Sequence, residues 1–322
     1  MQWVNSVVRV ISSIELRSPR KTVSQSGTAV ARFLTAIGLL IPLASFGSAN
    51  AALGQDAARG AYMAKAAGCI SCHTDFEGGG PSYGGGRALK TPFGTFYSPN
   101  ITPDQETGIG AWTDAEFLRA VRDGVSPRGK HYFPVFPYTS YTGLTDVDVL
   151  DIKAFLFSLE PVQREVSAHD VPFPFKLRFG QFFWKLLFFD RGTVPNDPAQ
   201  SDEWNRGRYL VRAAAHCGEC HTPRNLLGGV RDGMFLAGTV DGPEGARAPN
   251  ITPDNRTGIG SWSRSEIVNL LQTGFKPDFD NVQGSMEEAI QHGLKDLTLA
   301  DLEAIALYLK SIPAVENDVP AR

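Results

Sequence analysis

The sequence predicts an all-α protein of two tandem, related helical domains joined by an apolar connector helix. Three observations carry this. Residues 100–112, NITPDQETGIGAW, return as residues 250–262, NITPDNRTGIGSW, with ten of thirteen positions identical. The segment LTDVDVLDIKAFLFSL (144–159) is paralleled by LTLADLEAIALYLKSI (297–312), and both carry apolar residues at helical spacing. Ahead of each repeat stands one Cys-x-x-Cys-His, at residues 69–73 and 217–221.

Residues 1–51 are expected to be a secretory signal peptide. Arg32 leads into an uncharged apolar run, residues 33–46, and Ala49-Asn50-Ala51 ends it with small residues at the cleavage positions. The run is short of the roughly 20 apolar residues that a membrane span needs. About thirty residues precede it, more than such a leader requires. Without this segment the chain has 26 basic and 33 acidic residues, a net charge of −7. That balance argues against nucleic-acid binding, which needs clustered Lys and Arg.

The first domain is expected over residues 52–160 and the second over 201–318. Each opens with Arg-Gly-x-Tyr, at 59–62 and 206–209. Gly60 and Gly207 would let a first helix lie close against a last one, with Phe155 or Tyr308 at the crossing. The last helices begin at Thr145 and Thr298, N-caps followed by Asp148 and Asp301 in the first turn. Val149, Ile152 and Leu156, and Leu302, Ile305 and Leu309, mark their buried faces. The connector, 161–200, centres on FPFKLRFGQFFWKLLFFD (173–190). Lys176, Arg178 and Lys185 interrupt it, so it does not read as a membrane span. A buried interdomain helix clamping the domains is expected, with a membrane-surface or partner-facing helix as the alternative.

The four cysteines of an exported protein would ordinarily pair as disulfides. Their spacing points elsewhere. Cys69 with Cys72, and Cys217 with Cys220, stand three residues apart on one helical turn, where each thiol can add across a haem vinyl group. His73 and His221 then lie beneath the macrocycle as proximal iron ligands. A thioredoxin-type pair lacks its strand-helix setting, and a zinc site is poorly served by two such motifs 148 residues apart. Two covalently bound haem c groups are therefore expected, each completing a core that about 100 residues alone would struggle to build.

The paired Cys-x-x-Cys-His motifs, the NITPD…TGIG-x-W segments and the terminal helix with Tyr-Leu resemble the cytochrome c subunits of membrane-associated bacterial dehydrogenases. The resemblance spans about residues 55–316. It implies tandem class I cytochrome c domains in the periplasm, and proximal histidines that donate to the carbonyls of Pro99 and Pro249, positions that would otherwise serve as simple turn formers. Such subunits usually carry three haems; this chain has motifs for two.

The sixth ligand separates the halves. Met286, in Gly284-Ser285-Met286, follows His221 by 65 residues and is the expected distal ligand of the second haem. Met63 precedes Cys69 on the proximal helix, and Met234 is read as core packing. Aligning Trp112 on Trp262 places Gly124 on Gly274, Pro127 on Pro277 and Phe136 on Met286. Phenylalanine cannot bind iron. His131 is one candidate for the vacant role; a five-coordinate iron beneath Phe136 and a distant group such as His169 are the others. His216 and His292 read as surface or packing residues.

These features predict a periplasmic electron-transfer protein. It would accept electrons from a dehydrogenase and pass them to a downstream cytochrome or oxidase, with any membrane contact made through a partner or through residues 173–190. The first haem would be the lower-potential site where electrons arrive, the second the site from which they leave. The competing reading is a di-haem oxidoreductase, peroxidase-like or thiosulfate-type, with chemistry at the first haem. A stable subunit of a larger dehydrogenase complex is the third.

Overall fold

A computed structural model describes residues 55–242 and 245–320. The expected signal peptide lies outside the described residues. In the first half, α1 (Ala57–Ala66) starts where the Asp56 carboxylate accepts from the amides of Ala58 and Arg59. Gly68, at φ +62, turns the chain into the short helix α2 (Cys69–His73). Then come α3 (Asp114–Asp123), α4 (Tyr138–Tyr141) and α5 (Asp146–Phe157). A reciprocal Thr113–Glu116 capping box opens α3. The connector forms α6 (Gly180–Phe188).

The second half repeats the order. Ser201 caps α7 (Asp202–Tyr209), which continues into a single π-helical turn, Leu210–Ala214. After it stand α8 (Gly218–His221), α9 (Arg264–Thr273) with its own Ser263–Glu266 capping box, α10 (Ser285–His292) and α11 (Leu299–Ser311). Thr145 and Thr298 cap α5 and α11 through the amides of Asp148 and Asp301, as their positions predict.

The expectation of an all-α chain needs one correction. Strands β1 (Ala88–Thr91) and β2 (Gly94–Tyr97) form an antiparallel hairpin in what reads as loop. Leu89 faces Phe96 in its register, and Thr95 exchanges both backbone hydrogen bonds with Asp170 of the connector. Four-residue strands closed over Pro92-Phe93 give too short an alternation to read without the distant Asp170 partner.

α1 packs on α5 and α7 on α11. A Cβ at Gly60 would sit 1.8 Å from the Asp151 carbonyl oxygen, and one at Gly207 1.9 Å from that of Ala304. Only glycine allows these crossings. Val149, Ile152 and Leu156 of α5 and Leu302, Ile305 and Leu309 of α11 are buried, and they belong to one continuous apolar cluster with Met63, Leu210 and Ile267. The two halves therefore share a core.

The connector departs from the clamp that its composition predicts. It does touch both halves: Lys185 reaches the Asp123 and Gly124 carbonyls at 2.6 and 2.9 Å, and Trp184 Nε1 donates to Leu227 O at 2.8 Å. But the buried residue of α6 is the lysine. Phe179, Phe182, Phe183, Leu186 and Leu187 face outward, with Leu186 and Leu187 each 68% exposed. Among the described residues no helix is long and apolar enough to cross a membrane.

Candidate functional site

The first Cys-x-x-Cys-His motif forms the whole of α2 and the second forms α8 with Cys217 as its N-cap, and each helix ends on a buried histidine. None of the four cysteines is joined in a disulfide. Burial pushes the Cys69 and Cys217 thiols up to about 12, reinforced by Cys72 and Cys220 beside them.

His73 Nδ1 lies 2.8 Å from Pro99 O, and His221 Nδ1 lies 2.8 Å from Pro249 O. A carbonyl only accepts, so Nδ1 carries the proton in both rings and Nε2 keeps its lone pair. Burial lowers both histidine pKa values, with the carbonyl contact acting the other way, which keeps the rings neutral. The repeated NITPD segment fixes those carbonyls. Asn100 Oδ1 accepts from the Thr102 amide while its Nδ2 donates to Val162 O; Asn250 does the same with Thr252 and Val315 O. Each loop is thus tied to the chain just past its half's last helix, and the proline carbonyl is held under the histidine. A buried neutral imidazole with a free Nε2, beside two thiols one turn apart, fits a covalently attached haem.

Met286 stands on the first turn of α10, half-buried against the common core. Phe136, at the matching place in the first half, also packs on that core, with ring contacts to Tyr132 and Tyr141 at 5.8 and 5.6 Å. Met63 is fully buried in the core. Met234 corrects its expected role: it sits half-exposed on the turn Asp232–Met234.

His131 lies against the connector. Its ring meets Phe182 edge-on at 5.8 Å, in a cleft shared with Asp123, Lys185 and Arg191, and its backbone carbonyl accepts from Arg178. His169 lies between the rings of Phe96 and Phe133. Its Nδ1 accepts from the Tyr97 amide at 3.2 Å, so in the neutral ring Nε2 holds the proton and offers no lone pair. His292 stacks on Phe76 at 4.3 Å.

The sequence reading missed the contacts that join the two motifs. Tyr141 Oη donates to Ala67 O at 2.6 Å, just ahead of Cys69, while its ring meets that of His216, the residue before Cys217, at 5.3 Å. Inside the second motif, Glu219 accepts from Thr139 Oγ1 at 2.8 Å and Ser140 Oγ at 2.6 Å, both on α4, and pairs with Arg224. Burial pushes the Glu219 carboxyl up, but Arg224 and Ser140 more than offset it and hold it below the usual range. On the other side, Arg87 donates to Ser71 O inside the first motif and pairs with Glu288, two residues past Met286. Each half's distal segment therefore braces the other half's attachment motif. Only the internal repeat could have hinted at such reciprocity.

These features define a class: a c-type cytochrome, a protein that carries covalent haem c. The cytochrome c family model matches residues 57–160. A protein described as "Diheme cytochrome c-type" from Cereibacter sphaeroides is 43% identical over 298 residues, covering 90% of this chain and 98% of that one. The fructose dehydrogenase cytochrome subunit of Gluconobacter japonicus is 43% identical over 258 residues, 80% of this chain and 52% of that subunit. The cytochrome c subunit of a quinone alcohol dehydrogenase from Gluconobacter oxydans is 37% identical over 294 residues, 88% and 60% of the two. The chain belongs to this family of di-haem c-type cytochromes and dehydrogenase cytochrome subunits, and it spans roughly half to three-fifths of those two subunits.

Proposed function

We propose that the protein is a periplasmic electron carrier with two tandem class I domains, one haem in each, taking electrons from a dehydrogenase and delivering them to a cytochrome or oxidase. The observation that carries this reading is the reciprocal bracing of the motifs through Tyr141, His216 and Glu219. It sets two attachment sites against each other with hydrogen bonds on both sides, and electron transfer requires such a fixed relation.

In this reading Cys69 and Cys72 hold the first haem, Cys217 and Cys220 the second. His73 and His221 bind iron through Nε2, and their Nδ1–H bonds to Pro99 and Pro249 fix ring orientation and basicity. Met286 completes the second site and raises its potential. Bound haem supplies one-electron chemistry at its iron. In this reading Phe136 stands in the first half where Met286 stands in the second, His131 packs against Phe182, and the first haem would lack a methionine ligand.

Two measurements test the reading. Haem analysis should give two haem c per chain, and a ratio of one would defeat the two-site assignment. Rapid mixing of oxidised protein with a reduced periplasmic dehydrogenase, followed by an oxidised acceptor cytochrome, should show reduction and then reoxidation. Haems that titrate with electrodes yet exchange with neither partner would defeat the carrier role.

Phe136 favours one second reading, an oxidoreductase with chemistry at an open first iron. Carbon monoxide binding to half the ferrous haem, together with peroxide or thiosulfate turnover, would support it.

A further inference from the structure

We propose that residues 275–281 form the docking site for a basic redox protein that takes electrons from the second half, with Phe279 as its anchor. This rests on the carrier reading above and names the class of acceptor. The internal repeat carries it, because one turn occurs twice. In the first half Val125 bridges His131, the Ser126 amide donates to Lys130 O, and that of Gly129 to Ser126 O. In the second, Phe275 bridges Asn281, the Lys276 amide donates to Asp280 O, and that of Phe279 to Lys276 O. The turn needs a left-handed residue, and Gly129 supplies it at φ +73. Its counterpart is Phe279 at φ +65, a conformation that crowds the Cβ of an L residue. Packing does not offset that strain: Phe279 is 89% exposed, and Phe275 beside it 52%. A strained backbone that holds an aromatic ring out in water points to a function for the ring.

The two copies differ in what lies on them. The connector covers the first: Phe182 meets the His131 ring, Arg178 donates to His131 O, and Lys185 donates to the Asp123 and Gly124 carbonyls that end α3. Among the described residues no segment covers the second in this way. α9 ends at Thr273 and Gly274, and no described side chain donates to either carbonyl. The C-terminal end of a helix attracts cations. A partner's lysine beside an apolar contact would do there what Lys185 and Phe182 do in the first half.

Charge identifies the partner. The first turn reads Ser126-Pro-Arg128-Gly-Lys130 and the second Lys276-Pro-Asp278-Phe-Asp280, so acidic residues of one copy stand where the other has basic ones. The second turn has a net charge of −1 where the first has +2. Asp280 pairs with Lys276, while Asp278 is exposed and in no ion pair among the described residues. A basic protein is therefore drawn to the second turn and repelled by the first. Seven residues separate Phe279 from Met286, so a partner anchored on the ring meets the segment that carries the expected distal ligand.

The test uses the full haem-loaded protein, reduced, with an oxidised basic mono-haem cytochrome c as probe. Stopped-flow absorbance should give a second-order rate that falls with rising salt. F279G should lower that rate about fivefold or more, with the parent's haem spectrum and a melting temperature no lower. D278R should lower it about threefold or more and flatten the salt dependence. E160K, the same charge change at an exposed first-half position, should alter it less than about twofold. Carbodiimide coupling, which reads contact without electron transfer, should join Asp278 to a lysine of the probe. Variants that react at the parent rate, or coupling that spares Asp278, would overturn the docking site and leave the carrier reading standing. So would parent protein that reduces an acidic cytochrome but not the basic one. A homodimer coupled through Asp278 in place of the probe would mean that a second copy covers the turn, and would also overturn the proposal. Reduction of neither cytochrome would defeat the carrier reading, and the docking site with it.

Discussion

Tyr62 Oη, on the first helix of the first half, donates to the Asp301 carboxylate on the last helix of the second half at 2.6 Å. Tyr209 makes the mirror contact to Asp148, and the amides of Thr298 and Thr145 donate to the same two phenol oxygens. Asp301 is also held by Arg206 in a two-pronged pair, and Asp148 by Arg59. The repeated Arg-Gly-x-Tyr thus does two tasks: its arginine binds its own half's last helix, and its tyrosine binds the other's.

Tyr62→Phe and Tyr209→Phe should each lower stability by about 1.5–3 kcal/mol, the range for a hydrogen bond to a charged group. Chemical denaturation followed at the haem absorbance checks this. The double variant should broaden the transition, because the halves would no longer melt as one unit.

Acid should weaken the same junction. Burial pushes the Asp301 carboxyl up, but Arg206 and Tyr62 more than offset it, so its folded pKa lies below the ordinary value of about 3.9. A carboxyl depressed on folding contributes stability that is complete above the unfolded pKa and is lost as pH falls through the folded one. Melting temperatures measured downward from pH 5 should fall, and Asp301→Asn, less stable at neutral pH, should fall less steeply.

Gly60→Ala and Gly207→Ala should each cost about 3 kcal/mol or more, at or above the upper end of ordinary overpacking, because each new Cβ would lie within 2 Å of a backbone oxygen. Denaturation midpoints check this. An alanine at either site with unchanged midpoint would disprove the helix crossing.

Ligation should differ between the haems. Met286→Ala should abolish the sulfur-to-iron charge-transfer band of the ferric protein and lower one midpoint potential only. His131→Ala should leave the electron paramagnetic resonance spectrum of both ferric haems unchanged. A conversion of half the iron from low spin to high spin in that variant would restore His131 as a ligand.

Glu219→Gln removes a buried negative charge within the second attachment motif. The potential of that haem should rise, on the order of tens of millivolts, because reduction adds an electron where the carboxylate disfavours it. Redox titration of the two waves checks both the sign and the selectivity.

Much of the site was legible in the chain. The motif of Cys69, Cys72 and His73 and its second-half copy stand out because their residues are contiguous, and the Thr145 and Thr298 caps because capping is local. Other features resisted reading for a physical reason. The β1–β2 hairpin depends on Asp170, more than seventy residues beyond its second strand. His131 is a candidate ligand by residue type, five residues before Phe136, whereas its packing on Phe182 and the Arg178 contact to its carbonyl come from the distant connector. The connector's composition gave apolarity without direction, and Lys185, by reaching the end of α3, turned the helix outward.

Residues within a few turns of one another were enough to predict the two Cys-x-x-Cys-His motifs, two capped last helices and the glycines that let first helices meet them. Long-range packing set the rest: the halves cross-brace, with Tyr62 on Asp301 and Ser140 on Glu219, and an apolar helix faces outward. Those outcomes depend on which surfaces two copies of one fold bury against each other. A repeat fixes the copies, but their relative placement follows from packing across the whole chain.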